Sequence, residues 1–151
     1  FEPAEEAPEE GLRRRVRAAK ESRAAARRWA ASEAALALGA ELRSIEPAAW
    51  WGELAGYRFL LSPLGLGLQT SKVVEALLVL TVPVLQRAPV HDDLVAMGFP
   101  VAVVDDWAQI TRERLEGWWA AMAPRLASFR RHCLTAEAYW RLFTGGRDSC
   151  A

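Results

Sequence analysis

The sequence predicts an α/β domain built on a parallel sheet of Rossmann type and preceded by a long helix. From Arg58 onward, short apolar runs alternate with helical segments, and that alternation requires crossover connections and hence parallel strands. The run Pro100-Val-Ala-Val-Val-Asp105 is apolar enough to be buried on both faces, as strands of parallel sheets are. A turn carrying Gly65 and Gly67 separates the first strand from a helix that opens on Thr70, Ser71 and Lys72. With 151 residues and 52% hydrophobic content, the chain can bury one sizeable core, so one domain is expected.

Taken in order, residues 1–11 read as a flexible acidic lead-in, with Glu2, Glu5, Glu6, Glu9 and Glu10 among Pro3 and Pro8. Residues 12–45 read as an Ala/Arg-rich helical extension, its helix running from Leu12 to about Leu38 before Gly39. The apolar face is thin, built from Leu12, Val16, Ala19, Trp29, Leu36 and Leu38. Such a helix is either solvated or docked on a partner, and Arg13 and Arg17 mark the candidate interaction surface. Residues 46–146 form the domain proper and 147–151 a tail. Pro47 to Leu54 suggests a short helix with proline in its first turn. Its Trp50 and Trp51 cannot both face one way, so one of them marks a contact surface.

Arg58–Leu61 is the first expected strand, Ser71–Leu78 a helix, Val82–Leu85 the second strand and His91–Met97 a helical turn. Pro100–Asp105 is the third strand. Thr111 can cap a long helix in which Leu115, Trp118, Met122, Leu126 and Phe129 recur at helical spacing. Pro124 should kink or divide that helix. Thr135 opens a last helix through Trp140 and Phe143, ended by Gly145-Gly146.

Charge narrows the function. Lys+Arg and Asp+Glu balance at 19 each, which argues against a general nucleic-acid binder. Cys133 and Cys150 are too few for a disulfide scaffold and lack CxxC spacing. His91 and His132 are the only histidines, so no zinc site is expected. No apolar run approaches the roughly 20 residues of a membrane span. The chain lacks an initiating Met and a signal peptide, which reads as a processed or partial product.

The glycine turn is the feature that points to chemistry. Backbone N–H groups and the helix dipole converge there on an anion, suiting a phosphate or diphosphate. The spacing is neither Walker A nor the full dinucleotide fingerprint. Each residue also has a plainer role: the glycines as a tight turn, Lys72 as a solvated charge, Glu75 as a local cap or pair. Asp105 and Asp106 are adjacent on a strand end and point different ways, which disfavours metal binding. His91-Asp92-Asp93 reads as a capped, exposed turn more than as a base. Ser62 lacks the nucleophile-elbow context of serine hydrolases. Trp118, Trp119 and Trp140 are spaced as helix core.

Several separated blocks then agree in order. Tyr57-x-Phe59-x-Leu61-Ser62-Pro63-x-Gly65-x-Gly67 is followed by Glu75-Ala76-Leu77, Val82-Pro83-Val84, Phe99-Pro100-Val101, Asp105-Asp106-Trp107 and Ile110-Thr111 with Leu115 and Trp118. Over residues 50–143 this resembles the C-terminal, donor-binding half of the exostosin-like glycosyltransferases of GT-B fold. Their pattern reads S-P-x-G-x-G-x-D-x-x-R-x-W-E-A-L-x-x-G-x-x-P-I-V, followed later by D-D-W. The resemblance implies a nucleotide-sugar site, for example for a UDP-sugar, of Ser62, Gly65, Gly67, Thr70, Ser71, Lys72 and Glu75. Lys72 stands where the family has Arg and would neutralise the diphosphate as a point charge; Glu75 would accept from the ribose hydroxyls.

The departures are Leu66, Gln69, Val74 and Thr81, which stand for the family's loop Asn, Asp, Trp and Gly. A pocket that loses polar groups holds a diphosphate less well. The residues before position 50 look helical and supply no acceptor half. The resemblance therefore implies a degenerate donor-type domain, not catalytic alone, that needs no cofactor. A structural or interaction subunit, docked through the Arg-rich helix, is the alternative, and a fragment of an active transferase a further one. The family suggests the secretory pathway or Golgi lumen; an organellar assembly is the alternative.

Overall fold

A computed structural model describes residues 8–66, 70–146 and 149–150. Gly67 and Gln69, named above for the donor loop, lie outside the described residues, as do residues 1–7, 147–148 and 151. Helix α1 runs Pro8–Ala30 and α2 Glu33–Ala37. Then come α3 (Trp50–Leu54), β1 (Phe59–Ser62), α4 (Ser71–Leu78), β2 (Val82–Gln86), α5 (Pro89–Ala96) and β3 (Ala102–Val104). A 3-10 turn at Trp107–Gln109 leads into α6 (Arg112–Cys133) and α7 (Ala136–Phe143).

The three strands form one parallel sheet in the order β1-β2-β3. With α4 and α5 as crossovers, this sequential βαβαβ series is the arrangement of one half of a Rossmann sheet. Pro83 sits in the central strand without harm. β3 begins only at Ala102, opposite Val84, so no ladder bond is lost to the missing N–H.

Strand alternation sends neighbouring residues into two cores. Leu85 belongs to one, with Val73 and Leu77 of α4, Leu94 of α5 and Leu126, Phe129 and Cys133 of α6. Val84 belongs to the other, with Ala102, Val104, Trp107, Ile110 and Ala26 of α1. Helix α6 serves both, because Leu115, Trp118 and Met122 of its first half pack against the second core. It runs undivided through Pro124. Anchorage of both halves in core outweighs the roughly 3 kcal/mol that an interior proline costs.

The long N-terminal helix departs from the sequence reading in two ways. It opens at Pro8, with Glu9 and Glu10 in the first turn, where proline at N1 and acidic charge are both favourable, so positions 8–11 are helical. It ends at Ala30, because the Ser32 hydroxyl accepts the Ala35 N–H at 3.3 Å and starts a separate helix. Its buried stripe is Ala19, Ser22, Ala26 and Ala30, whereas Leu12 and Leu36 are exposed. Small side chains bring this helix close to the 3-10 turn and to α2. The Pro47 segment is a turn that becomes helical only at Trp50.

Two details fix the site's surroundings. Thr81, where the resemblance expects glycine, is fully buried. Its hydroxyl donates to the carbonyls of Leu54 (3.0 Å) and Tyr57 (2.9 Å), tying the end of α3 to the start of β1. Leu80 takes the left-handed conformation after α4 at φ 66°, the place glycine usually fills. Cys133 and Cys150 form a disulfide with Cα atoms 6.0 Å apart, so the pair that looked too sparse for a scaffold pins the C-terminal segment to α6.

Candidate functional site

The C-terminal ends of the parallel strands are where an α/β sheet binds ligands, and here they divide into two regions. Over β2 and β3, the Arg87 guanidinium pairs with Asp105 (2.6 Å) and with Asp92. Asp105 is held below its ordinary pKa, first by that hydrogen bond. Asp106 caps the 3-10 turn by accepting the Ala108 N–H at 2.7 Å. His91 is buried, not exposed, and its Nδ1–H donates to the Gln86 carbonyl at 2.6 Å. These groups close the surface and bond one another. No cluster of three potential metal ligands occurs among the described residues.

Beyond β1 the surface opens into a cleft of about 720 Å³. Ala26, Trp29, Leu38, Leu61, Val84 and Ile110 make its apolar part. Around it stand Arg23, Arg27, Arg43, Arg58, Lys72 and Arg112, with Glu41 and Glu116 the only carboxylates among the described lining residues. The surplus of positive charge against a low-dielectric wall focuses a field that attracts anions.

Four of the residues expected to form the donor site lie on the wall of this cleft. Ser62, Gly65, Thr70 and Lys72 line it. Their polar atoms are largely turned on one another. The hydroxyls of Ser62 and Thr70 stand 3.3 Å apart. The Leu64 N–H donates to the Ser22 hydroxyl at 2.9 Å, so an amide of the loop is spent on α1. A Cβ placed on Gly65 would lie 2.5 Å from the Thr70 methyl. That methyl therefore packs closely against Gly65 at the start of α4. Ser71 is exposed at the start of α4.

Glu75 does not line the cleft. Its Oε2 accepts from the Trp50 indole N–H and from the Lys72 ammonium, both at 2.7 Å. The same ammonium lies 4.0 Å from the Trp50 ring centroid, a cation–π contact. Burial pushes the Glu75 carboxyl up. Hydrogen bonds from Lys72, Ser71 and Trp50, with the Lys72 charge, outweigh that and hold it below its ordinary value. Trp50 is thus half-buried against Lys72 and Glu75, while Trp51 stays 47% exposed. On α1, Arg13 pairs with Glu9 along the helix (2.7 Å) and Arg17 is exposed.

The sequence reading missed three parts of this site. The sequence leaves open which of Trp50 and Trp51 marks a contact surface, and nothing local announces that Trp50 reaches across to Glu75, 25 positions later. Ser22 was passed over, though a serine in the Ala19–Ala26 stripe of small residues was the available signal. The arginine rim comes from four separate segments and has no linear signature. No protein-family model, no curated protein and no solved structure matches this chain.

Proposed function

We propose that this chain is a degenerate glycosyltransferase-like domain of the donor-binding type, not catalytic by itself, which serves as a structural or interaction module. The observation that carries the proposal is the state of Glu75. A carboxylate that is to accept ribose hydroxyls needs free lone pairs facing the ligand, and this one lies behind Trp50 and Lys72 and takes its bonds from them. The ammonium that would neutralise a diphosphate is neutralised by Glu75 instead. The Thr70 methyl packs closely against Gly65 beside them. The Cys133–Cys150 disulfide fits an oxidising compartment.

A second reading, a domain that still holds a nucleotide sugar such as a UDP-sugar, is favoured by the cleft of about 720 Å³ that reaches Ser62, Gly65 and Lys72. Thermal unfolding with UDP, UDP-sugars and GDP-sugars separates the two. A nucleotide at 100 times its dissociation constant adds about 2.7 kcal/mol, or roughly 8 °C for a chain of this length. The interaction-module reading expects no shift with any of them. A shift that Glu75→Ala removes would overturn it in favour of a working donor site.

A further inference from the structure

The cleft also exposes a strand edge. The Arg58 carbonyl accepts the Val82 N–H at 2.9 Å, and the register Phe59↔Val82 to Ser62↔Leu85 continues that alternation. Leu60 and Ser62 therefore face β2, and the N–H and C=O groups of Phe59 and Leu61 point outward. Those outward groups have no backbone or side-chain partner among the described residues. Proteins usually guard such an edge with a charge, a proline, a bulge or a covering segment, because an open edge templates a further strand. Phe59-Leu60-Leu61 carries none of the first three, and these residues line the open cleft.

The charge beside the edge says what would cover it. Arg43 is paired with Glu53 and Lys72 with Glu75. Arg23, Arg27, Arg58 and Arg112 line the same cleft and have no carboxylate partner among the described residues. Arg112 donates to a neutral carbonyl, that of Ala37 (2.9 Å), and Arg58 lies over the Trp119 ring at 5.2 Å. A second copy of this chain would bring the same arginines to the edge and be repelled. A nucleic acid would meet the arginines but has no peptide groups to bond Phe59 and Leu61.

We infer that the free edge of β1 docks an extended acidic segment of a partner protein, which adds as a fourth strand and sets its carboxylates against Arg23, Arg27, Arg58 and Arg112. This is β-augmentation, in which main-chain bonds give affinity and alternate side chains give selectivity. It rests on the interaction-module reading and names the partner's chemistry. The added strand would lie about 4.8 Å from β1, within the cleft.

Fluorescence anisotropy with a labelled peptide of alternating glutamate and valine tests the inference on the full chain. The acidic peptide is expected to bind at micromolar concentration and to weaken with added salt. Its lysine–valine counterpart should not bind. Versions N-methylated at alternate residues, made in both frames, should include one that loses about tenfold or more, since only one frame donates to the edge. The double variant Arg27→Glu/Arg112→Glu, at exposed positions, should lose about tenfold or more. Equal binding of both N-methylated frames and the parent, equal binding of the lysine peptide, or no binding at millimolar peptide would each overturn the docking site. Self-association through β1 that Leu61→Pro abolishes would overturn it as well. A UDP-sugar thermal shift with peptide binding intact would instead strike only the non-catalytic reading.

Discussion

Replacing Gly65 by alanine reports on how closely Thr70 packs against the loop before α4. Gly65 does not have a positive φ, so alanine would normally stabilise by about 0.4–1 kcal/mol through the unfolded chain. Here the new Cβ would lie 2.5 Å from the Thr70 methyl. Relief requires rotating Thr70, which breaks its contact with the Ser62 hydroxyl at 3.3 Å, or shifting the loop, which strains the Leu64–Ser22 bond. Overpacking of this kind costs roughly 1–3 kcal/mol. The net expectation for Gly65→Ala is a loss of about 1–2 kcal/mol, roughly 3–6 °C in Tm. Thr70→Ser removes the methyl and keeps the hydroxyl. The double variant Gly65→Ala/Thr70→Ser should therefore recover most of the loss, and scanning calorimetry on the four proteins gives the coupling directly. A Gly65→Ala protein as stable as the parent, or a double variant no better than the single one, would refute that close contact.

Two other expectations concern stability. Glu75 has a depressed folded-state pKa, so its contribution is fully present above the unfolded carboxyl value and is lost as pH falls through the folded one. Tm curves of the parent and Glu75→Gln should therefore differ at neutral pH and converge in acid; curves that run parallel down to low pH would contradict the pairing with Lys72 and Trp50. Cys150→Ser should lower stability by about 3 kcal/mol, the loop-entropy value for a crosslink of this span, and chemical unfolding of oxidised and reduced parent protein should show the same gap.

The alternation of apolar runs and helical segments was legible because each signal is local. Ser71–Leu78 appears at the expected bounds, and Thr111 and Thr135 cap their helices through N–H groups three residues on. The parallel sheet followed from the alternation of strands and helices, which requires crossover connections. On helix α1 the apolar residues named from the sequence include Ala19 but are mostly large, whereas close approach to the 3-10 turn also selects Ser22, Ala26 and Ala30. Trp50, Lys72 and Glu75 carry no joint signal in the sequence, and their union depends on α3 lying beside the first turn of α4.

Sequence by itself determined the alternation of strands and helices from β1 onward, since backbone propensity, caps and period-2 or period-3.6 patterns act within a few residues. It also determined that a glycine-bearing turn precedes α4. Tertiary structure decided how that turn's neighbourhood is used: whether Glu75 meets a ligand or Lys72, whether the Leu64 amide is offered or bonded to Ser22, and that the β1 edge lies open beside arginines with no carboxylate partner among the described residues. Those outcomes depend on contacts between residues tens of positions apart, where a displacement of an ångström makes or breaks a hydrogen bond, and no local pattern encodes them.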